Sequence, residues 1–233
     1  MLLAAISDID QCEARPDVAE AVNVAGTANV ANACQRTGAR LLFVSSAAVF
    51  DGTQHGYREN DPVTPVSTYG RTKVNGEELV TTLLPTAAVV RPALVIGFAE
   101  GPGTNAMLNK FAAKLQAGET VSFPDYEHRN PIDAVTLSDF MVELLSSNNA
   151  AGIFHVGAEE SISRYELGLR LAAKMSFPAD LVRRQTQPLP GRAPRGLDHF
   201  LLTDKIRAAC TTPVPSIDEV IERAIHGTSQ GNL

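Results

Sequence analysis

The sequence lacks any apolar run approaching the roughly 20 residues of a membrane-spanning helix, so no membrane association is expected. Positive charge is not in excess either. Lys and Arg number 20 against 26 Asp and Glu, a formal net charge of −6, and a nucleic-acid surface would need a basic patch. Cysteine is scarce: Cys12, Cys34 and Cys210 are odd in number and far apart. That excludes a disulfide framework and fits free thiols in a reducing, cytoplasmic compartment. The histidines (His55, His128, His155, His199, His226) show no ligand spacing with each other or with cysteine, so no metal is expected. Residues 1–7 are too short for a signal-peptide core and carry no basic residue ahead of it. What remains, 44% hydrophobic and 20% charged, is globular composition rather than that of a disordered chain.

Periodicity supplies the elements. Residues 16–37 read as a helix, with Pro16 near its start, Gly38 past its end, and Val18, Val22, Ala25 and Ala33 close to one face. Residues 41–46 and 87–95 are apolar runs too short for helices and read as strands buried on both faces. Residues 51–67 form a turn-rich loop, and 68–84 form a helix stopped by Pro85. A strand at 2–6 would complete an alternation of strand and helix, which implies a parallel α/β sheet with right-handed crossovers. Further on, 105–115 and 136–145 read as helices, the second opened by Thr136, and 152–156 as a strand. Ser163 with Glu166 and Ser216 with Glu219 are capping-box pairs opening two last helices, to Met175 and to Gly227. Residues 185–198, rich in proline and glycine, read as irregular. The expected layout is a sheet domain over 1–96, rejoined by 136–157, with a smaller α/β lobe over 97–233.

One constellation carries chemistry. Ser45-Ser46 ends a buried strand, a long loop follows, and Tyr69 and Lys73 stand four apart on a helix. Side chains at i and i+4 share a helix face. A lysine beside a phenol favours the phenolate. A serine at the carboxyl end of a parallel strand lies where open α/β sheets place ligands. Together they suit acid–base chemistry at a carbonyl or hydroxyl oxygen, as in hydride-transfer reactions. His155, inside an apolar strand, reads as a core histidine, and Asp139 as a helix-orienting residue.

The run Ser45-Ser46-Ala47-Ala48-Val49-Phe50-Asp51-Gly52, followed by Tyr57-Arg58-Glu59, Pro62, Pro65 and Tyr69-Gly70-Arg71-Thr72-Lys73, resembles the extended short-chain dehydrogenase/reductase family. Within it the chain is most similar to the dTDP-4-dehydrorhamnose reductase branch, including Val22-Asn23-Val24-Ala25-Gly26-Thr27, Arg91-Pro92 and Asn130-Pro131. The resemblance implies a partial Rossmann-like fold with a carboxyl-terminal substrate lobe. It implies reduction of a 4-keto nucleotide sugar with NAD or NADP, with nucleotide-sugar epimerisation or a non-catalytic regulatory role as alternatives. Ser46, Tyr69 and Lys73 would be catalytic, with Lys73 lowering the tyrosine pKa, and Asn23 would support a proton relay. Ala4, Ala5, Ser45, Tyr69, Lys73, Pro92 and Val95 would contact the cofactor. Ser46, Ala47, Asn105 and Arg129 would contact the nucleotide-sugar substrate.

The 233 residues contain no G-x-G-x-x-G or G-x-x-G-x-x-G turn for a dinucleotide pyrophosphate. The resemblance makes residue 1 the opening of a central strand. As an edge, 2–6 would carry no charge, proline or bulge to blunt it, so the chain alone is expected to be poorly soluble, to pair this edge with a homodimer or partner chain, or to rearrange its N-terminal segment.

Overall fold

The computed structural model describes residues 1–99, 107–147 and 149–227. Asp8 caps the short helix α1 (Ile9–Ala14), its carboxylate accepting from the Gln11 amide at 2.9 Å. Pro16 opens α2 (Pro16–Glu20), where its missing N–H would be unsatisfied anyway. A single π turn (Ala21–Ala25) leads into α3 (Gly26–Thr37), and Gly38 ends it with φ at 69°, a left-handed conformation that glycine adopts without strain. The predicted helix over 16–37 therefore exists, but with one widened turn, and that turn carries Asn23.

Then follow β1 (Leu42–Val44), α4 (Thr68–Leu83), β2 (Ala88–Pro92), β3 (Leu94–Ile96), α5 (Met107–Gln116), β4 (Val121–Pro124), β5 (His128–Arg129), β6 (Pro131–Asp133), α6 (Ala134–Ser146) and β7 (Gly152–Val156). The chain continues through β8 (Ile162–Ser163), α7 (Arg164–Lys174), β9 (Val182–Gln185), β10 (Asp198–His199), α8 (Asp204–Ala209) and α9 (Ile217–His226).

The main sheet has the order β1-β2-β7, all parallel. Alternation along the strands decides what lies on each face. Leu42, Ala88, Val90 and Phe154 pack with Leu137, Phe140 and Leu144 of α6. Phe43 and Val89 point the other way, onto Ala31 of α3 and Val80 of α4. Both faces are covered, as the doubly apolar strands required.

The strand expected at 2–6 reduces to one parallel bridge, Leu2 to Phe43. Beyond it the chain leaves the sheet because the Ile6 amide donates to Asn23 Oδ1 at 2.8 Å instead of to a neighbouring strand.

The carboxyl-terminal half has its own core, in which Leu108, Phe111, Phe123, Leu167, Leu171 and Val220 meet. Small sheets stitch it together: β3 with β6, β4 with β9, and β10-β5-β8. Helix α6 starts at Ala134 rather than Thr136, because Asp133 Oδ1 accepts from the Thr136 amide at 2.8 Å and is the cap. Asp139 lies exposed within that helix. Ser163 caps α7, but Glu166 turns to Arg170 at 3.1 Å and leaves the box half made, whereas Ser216 and Glu219 complete theirs on α9.

Candidate active site

Above the carboxyl ends of β1 and β2 lies a cleft of about 390 Å³. Ser46, Tyr69 and Lys73 all line it, with Ala5, Pro92 and Val95. Local structure brings them together. After β1 the chain enters a one-turn 3₁₀ helix (Ala47–Val49) capped by Ser46, whose Oγ accepts from the Ala48 amide at 3.1 Å. Ser67 caps α4 in turn, accepting from the Gly70 amide at 3.1 Å, and so sets Tyr69 in the first turn. The two turns nearly touch: a Cβ on Gly70 would lie 2.2 Å from the Ala48 carbonyl oxygen. Only glycine permits that approach, and it holds the turn that bears Ser46 against the turn that bears Tyr69.

Tyr69 is 9% exposed. Burial pushes its phenol up to about 12, against a smaller downward pull from Ser46. The lysine effect expected from the sequence does not prevail, because Lys73 Nζ is 5.8 Å from the ring centre and is itself tied to the Val44 carbonyl at 2.9 Å. Burial likewise pulls Lys73 down to about 8, with Glu77 acting in the opposite direction. Among the described residues that carbonyl is the one hydrogen-bond acceptor the ammonium has. A phenol that stays protonated at neutral pH is a proton donor, and a lysine with spare N–H groups at the cleft floor is a hydroxyl-binding group.

Other predicted residues lie differently. Ala47 is fully buried with Val49, Phe50 and Leu201, and it is Ala48 that lines the cleft. Ala4 is exposed and stands outside the cleft. Ser45 lines the cleft, but its hydroxyl donates to Glu77 beneath the floor. Asn23 is away from the cleft. Its side chain accepts from the Ile6 amide and donates to the Ile6 carbonyl and Thr72 Oγ1, both at 3.0 Å, so it fixes the backbone around the site. Arg129 lines the cleft with its donors engaged by the carbonyls of His128, Gly196 and Leu197. Asn105 lies outside the described residues. His155 is fully buried, pushed down to about 3 by burial and by Arg91, and is therefore neutral.

Sequence reasoning missed the opposite wall. Glu127, Arg164, Arg195 and His199 line it, the first just ahead of β5, the second opening α7, the third in the loop before β10 and the last in β10. Arg195 reaches across to Asp10 at 2.7 Å, and the Ala193 amide donates to the same carboxylate at 2.8 Å. The signal for these residues is spatial, since 185 positions separate Asp10 from Arg195.

A parallel sheet covered on both faces, with its cleft at the strand ends, defines a Rossmann-like α/β protein of the extended short-chain dehydrogenase/reductase type. The chain belongs to the RmlD substrate binding domain family, whose model matches residues 1–229. It is 34% identical over 217 residues to a dTDP-4-dehydrorhamnose reductase of Mycobacterium tuberculosis, covering 91% of this chain and 70% of that protein. It is 29% identical over 190 residues to methionine adenosyltransferase 2 subunit beta of Xenopus tropicalis, covering 80% of this chain and 57% of that one. The chain thus spans little more than half the length of this second relative. Among solved structures, dTDP-4-dehydrorhamnose reductase from Bacillus anthracis in complex with NADP matches with a TM-score of 0.88 and 25% identity, over 95% of this chain and 78% of that one.

Proposed function

We propose that the chain carries the substrate-reducing site of a nucleotide-sugar oxidoreductase that acts on a 4-keto sugar of the dTDP-4-dehydrorhamnose kind. The observation behind this reading is the meeting of Ser46, Tyr69 and Lys73 in one cleft of a chain from this family. Bound in the cleft, NAD or NADP would supply the hydride. The residues present suit its nicotinamide-ribose end: Lys73 offers spare donors to a ribose diol, and Pro92 with Val95 gives an apolar wall.

The chain's own residues handle the proton. As the ketone oxygen gains negative charge, Tyr69 donates its phenolic proton to it. Ser46, held by the Ala48 amide, directs its hydroxyl at the same oxygen. Lys73 then faces the phenolate and lowers the cost of its formation. Incubating the chain with dTDP-4-dehydrorhamnose and NADPH, and following the loss of reduced-nicotinamide absorbance, tests this. Turnover abolished in Tyr69→Phe supports the reading; no turnover and no NADPH binding at millimolar concentration reject it.

A second reading rests on the similarity to methionine adenosyltransferase 2 subunit beta. Here the same fold serves as a non-catalytic subunit. It predicts co-sedimentation with a methionine adenosyltransferase catalytic chain, unaffected by Tyr69→Phe.

A further inference from the structure

Lys73 lines the cleft floor although it is almost wholly buried. Two contacts place its ammonium: the Val44 carbonyl, and the Phe43 ring, whose centre lies 4.9 Å from Nζ. Neither carries a full charge. Phe43 in turn presses on Gly76, where a Cβ would stand 2.8 Å from the ring, so α4 runs tight against β1. A buried ammonium without a counter-charge gives up its proton. Tyr69 on the same helix and Cys12 of α1 face Lys73, but burial pushes both acids up, so both are neutral near pH 7. Glu127 stands on the opposite wall and serves Arg129, Arg164 and Arg192. Among the described residues Glu77 is the anion left to face the lysine. It shares a helix face with Lys73 at i+4, and its pull is the largest influence opposing the burial of the ammonium.

The carboxylate is itself held from two strands. It accepts from the Ser45 hydroxyl at the end of β1, and from Nε and Nη2 of Arg91 in β2. Arg91 Nη1 goes elsewhere, to the Glu59 carbonyl at 3.3 Å and to Nε2 of neutral His155 at 3.4 Å. Of the two charges in the pair, only the carboxylate acts on the ammonium. Ser45 directly follows Val44, so the group that opposes deprotonation of Lys73 also fixes the strand end whose carbonyl receives it. We infer that Glu77 is a positioning residue of the cleft, which keeps Lys73 a cation and, through Ser45, holds it in place without touching any ligand. Its use for function rests on the reading of Lys73 as the group that binds a cofactor's ribose diol. It also gives the Ser45 hydroxyl, turned away from the cleft, a task in the site.

Competitive acetylation of the 233-residue chain with acetic anhydride, from neutral to alkaline pH and read at Lys73 by peptide mass spectrometry, gives the titration midpoint of that amine without any cofactor. The parent should show it near 8. Glu77→Gln/Arg91→Met removes both charges of the pair and keeps a carboxamide oxygen for Ser45; replacing both partners of a buried pair is commonly tolerated. Its midpoint is expected about one unit lower, and its NADPH affinity about threefold weaker at about pH 7.5, as the protonated fraction falls. Glu77→Gln alone, with Arg91 left unneutralised, should lower the midpoint at least as far. A merely structural role has the opposite sign: a loosened core lets water reach the amine and moves the midpoint up towards 10.5. A midpoint that stays or rises in the folded variants, or a parent midpoint at 10.5, overturns the inference. A fall in a chain that binds no NADPH at millimolar concentration upholds the charge assignment and rejects only the reductase reading.

Discussion

Arg91 closes two hydrogen bonds on Glu77, Nε to Oε1 at 2.8 Å and Nη2 to Oε2 at 2.6 Å, with both side chains buried. The pair ties together the elements that carry the site. Glu77 lies one helical turn after Lys73 and accepts from Ser45, while Arg91 precedes Pro92. Glu77→Gln would leave a buried guanidinium without its counter-charge. The expected loss is about 3–5 kcal/mol of stability, read by denaturant unfolding at neutral pH. A loss below about 1 kcal/mol, the range of a surface pair, would show that the pair is not desolvated in solution.

Removing the proton donor should leave the fold alone. Tyr69→Phe is expected to keep the circular dichroism spectrum and unfolding midpoint near those of the parent, and Ser46→Ala to keep the spectrum while losing about 1 kcal/mol of stability with its cap on the Ala48 amide. Turnover should fall about a hundred- to ten-thousand-fold, the range of a positioned general acid. Ser46→Ala should sit at the milder end, because Tyr69 itself remains.

Lys73 gives a pH signature. Burial lowers its pKa from 10.5 to about 8, so between these values the unfolded chain binds more protons than the folded one. Stability attributable to Lys73 therefore rises with pH across that window, by about 3 kcal/mol in total. Tyr69 acts in the opposite sense but only above pH 10, since its pKa is raised from 10.0 to about 12. The difference in unfolding free energy between parent and Lys73→Met isolates the lysine. NADPH affinity should show the reverse trend and weaken above about pH 8, as the ammonium loses its charge; a flat affinity up to pH 10 would contradict a ribose role for Lys73.

Far from the cleft, Glu143 of α6 accepts from the amides and hydroxyls of both Thr211 and Thr212, which fastens the chain after α8 to the helix. The Thr212 hydroxyl is the largest of the influences that hold its carboxyl down to about 2. The linked stability is present above the ordinary value of 4.5 and fades as pH falls towards 2. Glu143→Ala should cost about 1–3 kcal/mol at pH 7 and progressively less on acidification. A cost unchanged between pH 7 and pH 3 would contradict this role.

The parallel sheet, α4 and the Ser46, Tyr69 and Lys73 grouping were legible because each rests on local chemistry: apolar runs, a proline stop, i and i+4 spacing. Strands β5, β6, β8 and β10 have two or three residues each, too few to show a period. Whether Ala47 or Ala48 meets the cleft depends on one residue's rotation in a single 3₁₀ turn. Asn23 carried no sign that its amide would be taken by Ile6 and Thr72. Apart from Arg129, that wall was invisible because Glu127, Arg164 and Arg195 come from three separate segments and meet only when the small sheets form.

The bond between Asp10 and Arg195 also sets a timetable. Its partners are 185 positions apart, so during synthesis the aspartate leaves the ribosome long before the arginine exists. Contacts of such separation form late and slow the approach to the native state. The sheet and its first helices can assemble on the nascent chain with the mouth of the cleft still undefined. Competence to bind would then arrive abruptly, once the segment bearing Arg195 emerges and docks. A ribosome-arrested chain ending before Arg195 should accordingly acquire protease-resistant structure without ligand affinity.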